Sequence, residues 1–177
     1  RKEQGIYYTP TFIVDYIVDS TLGVTLKDKR MDSRNIKVLD PACGSGSFLI
    51  KAFDRLRVHM STYDESKMRR IDEQGMYSIK TTILKKNLFG VDLDPKAVEI
   101  TKLNLLLKAA EKHRRLPKDV ELHIRQGNSL IDDEAVAGLD AFGWEGDFSE
   151  GSFDVVIGNP PYVRVQTTSS EDKNYLV

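Results

Sequence analysis

Four times along this chain a short apolar run ends in a cluster of glycine, proline, asparagine or aspartate. Ile36–Leu39 runs into Asp40-Pro41-Ala42-Cys43-Gly44-Ser45-Gly46-Ser47, and Leu88–Val91 into Asp92-Leu93-Asp94-Pro95. Val120–Ile124 leads to Gly127-Asn128-Ser129, and Phe153–Ile157 to Gly158-Asn159-Pro160-Pro161-Tyr162. Helical patterns follow the first two clusters. Strands alternating with helices specify a parallel sheet. In open sheets of that kind, ligands bind at the carboxyl ends of the strands. The arrangement therefore places all four clusters on one edge and predicts a strand order of 3-2-1-4.

The remaining elements follow from local signals. Thr9 suits an N-cap and Pro10 the first helical position. Phe12, Ile13, Tyr16 and Ile17 then share a face, and Gly23 stops the run. A helix follows the glycine loop through Phe48, Leu49, Phe53 and Leu56. Residues 61–75 are polar and read as an insertion or mobile loop. A short helix over 79–86 leads into the second strand. Asp94 and Pro95 cap a long helix to about residue 112, with apolar positions at Val98, Leu103, Leu106 and Leu107. Residues 132–151 read as loop with a short helix, and the polar stretch 166–173 as disordered.

Composition narrows the class. The 177 residues fit a single domain, and 40% hydrophobic content is enough for a core. A net charge of -1 excludes a strongly basic nucleic-acid clamp, although not a local basic face. One cysteine excludes a disulfide framework and a Cys-based zinc site. No apolar stretch approaches the roughly 18 residues that span a bilayer. The chain opens without Met or a signal-peptide core and reads as a soluble, cytoplasmic piece cut from a longer protein.

Each cluster carries its own chemistry. The two glycines of the first allow close backbone approach to a ligand at a helix N-terminus. It is neither a P-loop nor a dinucleotide fingerprint, and a plain tight turn remains open. Asp92 ends the second strand, where a carboxylate can accept from both ribose hydroxyls. Asp94 serves as the helix cap and leaves Asp92 free. In the fourth cluster two prolines stiffen the backbone and leave its carbonyls free to face a ligand. Asn159 adds an acceptor and Tyr162 a stacking surface, a set suited to a planar group bearing an NH₂. Cys43 lacks a neighbouring histidine and reads as a small buried hydrophobe. His59, His113 and His123 have no metal-ligand spacing and read as surface or capping residues. Lys67, Arg69 and Arg70 form a basic run, a solvated face or a minor phosphate contact.

Together these motifs resemble the gamma-class DNA adenine-N6 methyltransferases of restriction–modification systems. Gly5-Ile6-Tyr7-Tyr8-Thr9-Pro10 resembles their upstream cofactor motif, and Asp40 to Leu49 their glycine loop. Gly90-Val91-Asp92-Leu93-Asp94-Pro95 resembles the ribose motif. Gly127-Asn128-Ser129-Leu130 resembles the adenine-edge motif, with Asn128 where Asp is commoner, and Asn159-Pro160-Pro161-Tyr162 the catalytic motif. The likeness covers residues 4–165 and looks closest to large single-chain restriction–modification enzymes (type IIG or type I-like) or the methylase of related phage-defence systems.

The resemblance implies a class I S-adenosylmethionine-dependent methyltransferase fold: a Rossmann-like, doubly wound, mostly parallel α/β sheet ending after the fourth strand. Residues 1–177 would form part of the catalytic domain, without the target-recognition domain. Tyr8, Thr9, Asp40, Ala42, Gly44, Gly46, Asp92, Leu93, Asn128 and Ser129 would bind S-adenosyl-L-methionine. Asn159, Pro160 and Tyr162 would act on an adenine flipped out of double-stranded DNA. Restriction or specificity subunits, or fused domains, would be partners, with no membrane involved. The segment by itself would be weakly active or inactive. Rival readings are an N-methyltransferase acting on protein glutamine or RNA, and a non-catalytic cofactor-binding module.

Overall fold

In a computed structural model of the chain, residues 9–28, 30–65, 73–110, 120–148 and 152–160 are described. Helices α1 (Thr11–Ser20) and α2 (Leu22–Thr25) precede β1 (Val38–Asp40) and α3 (Ser47–Glu65). Helix α4 (Glu73–Thr82) passes through one π turn (Ile83–Asn87) into β2 (Leu88–Asp92), followed by α5 (Pro95–Ala109) and β3 (His123–Gln126). Short helices α6 (Glu134–Ala137) and α7 (Trp144–Asp147) flank a 3₁₀ turn (Gly138–Asp140) and lead to β4 (Val155–Val156). All strand pairs are parallel, in the order β3-β2-β1-β4, as the sequence predicts. The chain steps outward from β1 to β3 and returns to the other side of β1. The β1–β4 junction is thus the topological switch point where such sheets open a ligand crevice.

The strands alternate between two cores, because successive side chains leave opposite faces of a sheet. Val38, Leu88 and Ile124 join Val14, Val18, Phe53, Leu56, Ile83 and Leu105 under the helices. Leu39, Phe89 and Val91 face Phe142 and Phe148, with Trp144 and Phe153 packed against them. Gly90 faces the first core, where an added Cβ would lie 2.9 Å from Leu49 and 3.2 Å from the Cys43 sulfur. Asn87 closes the β1 entrance: its buried side-chain amide donates to the Ser33 and Ile36 carbonyls at 3.1 and 2.6 Å.

Several sequence expectations shift. Pro10, not Thr9, is the N-cap of α1, and no side chain caps it. The buried residues of α1 are Val14 and Val18, while Phe12 and Tyr16 are each 72% exposed. Val14 and Val18 pack into the main core, and beside them Asp15 and Asp19 pair with Lys51 and Arg55 of α3. Helix α1 breaks at Thr21, whose hydroxyl donates to the Ile17 carbonyl, and Gly23 lies inside α2. Residues 61–65 belong to α3 and 73–75 to α4, against the expected loop; residues 66–72 lie outside the described residues. The helix expected over 79–86 begins six residues earlier, at Glu73. In α5 the buried set is Val98, Thr101, Leu105 and Ala109, and Leu103 and Leu107 are 57% and 63% exposed. Strand β3 starts at His123 because only residues opposite β2 find a ladder partner. Residues 111–119, with His113, and 161–177, with the tail 166–173, lie outside the described residues, as does the Lys67–Arg70 run.

Candidate functional site

The glycine loop leaves β1 at Asp40. The Asp40 side chain is fully buried; Oδ1 accepts from the Ala42 N–H at 3.1 Å and Oδ2 has no protein partner. Burial pushes this carboxyl up to about 7, against the opposing Ala42 hydrogen bond and with a further push from the Asp92 charge. The loop then turns through Gly44 and Gly46, at φ +53° and +85°, a region that favours glycine. The Gly46 N–H closes onto the Cys43 carbonyl at 2.8 Å. A Cβ on Gly44 would meet nothing within 4 Å, so that side of the loop is open.

Asp92 stands across from the loop. Its Oδ2 accepts from the Gly44 N–H at 2.7 Å and its Oδ1 from the Asp94 N–H at 2.9 Å. Asp94 caps α5 through the Lys96 N–H, as expected. Contrary to the sequence expectation, Asp92 is not free; its carboxylate is held by two amides and keeps one lone pair on each oxygen for a ligand. Beside it Leu93 is more than half exposed, as is Leu130 at the end of β3. Asn128 accepts from the Leu130 N–H through Oδ1 at 3.1 Å, which leaves its NH₂ as the outward donor. The Ser129 carbonyl accepts from the Trp144 indole at 3.3 Å.

The fourth cluster meets the first at the β1–β4 junction. A Cβ on Gly158 would lie 2.7 Å from Asp40 Oδ1, so the backbone passes directly over that carboxyl. Asn159 is exposed, and its Nδ2 donates to the Thr9 hydroxyl at 3.2 Å across 150 residues of sequence. Thr9 thus meets Asn159 instead of capping α1. Pro160 is exposed beside it. Tyr8, Pro161 and Tyr162 lie outside the described residues. The other predicted site residues, Thr9, Asp40, Ala42, Gly44, Gly46, Asp92, Leu93, Asn128 and Ser129, lie at or beside the carboxyl edge with Asn159.

The surroundings of Cys43 disfavour its thiolate. It is buried, and desolvation with the Asp40 and Asp92 charges raises its thiol far above the usual range. His123 Nε2 donates to the Lys85 carbonyl at 2.7 Å, and the ring stacks on Phe89. Two residues escaped the sequence reading, and a third, Gly158, was read only as part of its cluster. Thr101 and Asn104 donate to the Gly44 and Ser45 carbonyls at 2.7 and 3.0 Å, and Gly158 makes room for Asp40. Polar residues three apart in a mostly apolar helix were the available signal for the first two.

The second half of the chain, residues 86–177, matches the family model described as Eco57I restriction-modification methylase. The chain belongs to the Eco57I restriction-modification methylase family. Methylases of this family draw on a methyl donor. The chain is similar to the type II restriction enzyme and methyltransferase RM.Eco57I of Escherichia coli, 34% identical over 93% of this chain and 18% of that protein. It is also similar to the adenine-specific methyltransferase PglX of Streptomyces coelicolor, 29% identical over 96% of this chain and 15% of that protein. Among solved structures, the ATP-dependent Type ISP restriction-modification enzyme LlaBIII bound to DNA matches 98% of this chain and 12% of its own. Its TM-score is 0.64 at 22% identity, a likeness of fold. The chain thus spans less than a fifth of the length of each of these proteins.

Proposed function

We propose that this chain carries the donor-binding and catalytic part of a DNA adenine-N6 methyltransferase of a restriction–modification or related defence system. The observation that carries the reading is the meeting of Gly158-Asn159 with Asp40 and Thr9 at the switch point of the sheet. It sets an amide acceptor beside a glycine loop and an amide-held carboxylate. Residues 1–177 would be part of the catalytic domain. Double-stranded DNA would be the substrate, restriction or specificity subunits or fused domains the partners, and the cytoplasm the place of action.

The residues present fit S-adenosylmethionine. The Gly44 side of the loop is open, Asp92 keeps lone pairs for two hydroxyls, Leu93 and Leu130 expose apolar surface, and Asn128 presents a donor. When bound, S-adenosylmethionine supplies an electrophilic methyl group. Tyr8, Thr9, Ala42, Gly44, Gly46 and Ser129 would hold the rest of it, with Asp40 acting from beneath the loop.

Asn159 and Pro160 act on the acceptor. An exocyclic adenine amine is a weak nucleophile because its lone pair is delocalised into the ring. Thr9 engages Nδ2 of Asn159 and leaves Oδ1 to accept an N6 proton, with the Pro160 carbonyl accepting the other. Both bonds favour a tetrahedral nitrogen with its lone pair directed at the methyl group. This is catalysis by positioning and electrostatics, without a covalent enzyme intermediate. Tyr162 would stack on the base, which must leave the duplex to be reached.

The test is mass spectrometry of digested DNA after incubation with the full-length protein and methyl-labelled donor. N6-methyladenine that disappears with Asn159→Ala is expected. Methylation confined to protein glutamine or to RNA would overturn the proposal.

A further inference from the structure

Gly44 is gripped from both sides. Its N–H donates to Asp92 Oδ2 at 2.7 Å, and its carbonyl accepts from the Thr101 hydroxyl at 2.7 Å. The next carbonyl, that of Ser45, accepts from Asn104 Nδ2 at 3.0 Å. Thr101 and Asn104 sit three residues apart on α5, on one face of the helix. The loop rests so close to α5 that a Cβ on Gly46 would lie 2.8 Å from the Thr101 methyl.

These contacts set directions as well as distances. In a trans peptide the N–H points opposite to the preceding carbonyl. Drawing the Gly44 carbonyl toward α5 therefore turns the Ser45 N–H away from the helix. The Gly46 N–H is already committed to Cys43. Thr101 is fully buried, a costly place for a hydroxyl without a defined partner. The other buried residues on its face, Val98, Leu105 and Ala109, are apolar.

We infer that Thr101 and Asn104 are positioning residues that preset the donor-binding loop, and that Thr101 acts on Asp92 through Gly44. This rests on the donor reading above. Neither side chain needs to touch the donor. Each removes loop conformations that would otherwise have to be lost on binding. The effect belongs in donor affinity and donor KM, with little in the methyl-transfer step itself.

The experiment uses the full-length protein and its Thr101→Val, Thr101→Ser and Asn104→Ala variants. It measures S-adenosylmethionine binding by calorimetry, KM and kcat for methyl transfer, and the melting temperature without donor. Thr101→Val should weaken binding and raise donor KM by about tenfold, roughly one lost hydrogen bond. Its kcat should fall much less than its KM rises. Thr101→Ser should restore most of the affinity, and Asn104→Ala should lose about threefold, in line with a weaker, more exposed bond. A purely structural role would lower the melting temperature and the number of binding sites while leaving the affinity of the folded fraction intact; that result overturns the inference. So does equal weakening by Val and Ser at position 101. If Thr101→Val fails to fold, Ser at 101 and Ala at 104 decide: wild-type affinity in Asn104→Ala overturns the inference. If the unsubstituted protein itself takes up no donor, the donor reading falls and this inference with it; if it binds and the variants bind equally, only this inference falls.

Discussion

Asp40→Asn isolates the consequence of burying a carboxyl beneath the glycine loop. The folded carboxyl titrates near 7, raised chiefly by burial, whereas its ordinary value is 3.8. Below that ordinary value both folded and unfolded chains hold the proton, and the group has no effect on stability. Between about 4 and 7 the unfolded chain releases its proton and the folded one keeps it, so stability falls as pH rises through that window. Each unit of pH corresponds to about 1.4 kcal/mol, giving roughly 4 kcal/mol once pH exceeds the folded value. Asparagine retains the oxygen that accepts from Ala42 and does not titrate. Its NH₂ replaces the unpartnered Oδ2, an offset of about 1–3 kcal/mol that does not change with pH. The pH dependence is thus the clean quantity. Urea denaturation of wild type and variant at pH 5 and pH 8 should show the variant gaining about 2–3 kcal/mol relative to wild type as pH rises. A difference that stays constant across this range would refute the reasoning and place the Asp40 proton equilibrium near its ordinary value.

Gly158→Ala would put a Cβ 2.7 Å from the buried Asp40 Oδ1, which the Ala42 N–H holds in place. It should cost about 1–3 kcal/mol by denaturation, with methylation lost as the tetrad lifts from the loop. Asp92→Ala strands the Gly44 and Asp94 amides and removes two ligand acceptors, so calorimetry should show donor binding weaker by about 1–3 kcal/mol. Asn159→Ala should lower turnover by roughly 10²-fold or more with donor affinity intact, read from KM and kcat. Tyr162→Ala should lose about 1–3 kcal/mol of base stacking, and Phe at that position should recover most of it in the same assay.

The four edge clusters and the Asp94–Pro95 cap were legible because they depend on local spacing, and the strand order because the connection rules for parallel sheets leave few alternatives. A short apolar run ending at a glycine or proline cluster marks a strand end whatever packs around it. The long helix after Gly46 was equally plain, since Phe48, Leu49, Phe53 and Leu56 leave one way to bury that face. The inward faces of α1 and α5 were not legible. Both helices carry two competing apolar stripes, and the inward one lies beside polar side chains whose partners are far away in sequence: Asp15 and Asp19 meet Lys51 and Arg55 for α1, and Thr101 and Asn104 meet the Gly44 and Ser45 carbonyls for α5. Counting hydrophobic residues cannot detect such a choice. The same limit applies within the site. Sequence named Asp40, Asp92, Thr9 and Asn159 by their motifs. Only the folded chain laid Gly158 over Asp40, tied Asn159 to Thr9 and tethered Asp92 to Gly44. Local chemistry determines which residues end a strand. Which of them touch depends on how the loops leaving different strands pack against one another at the carboxyl edge, and that is decided only in the folded chain.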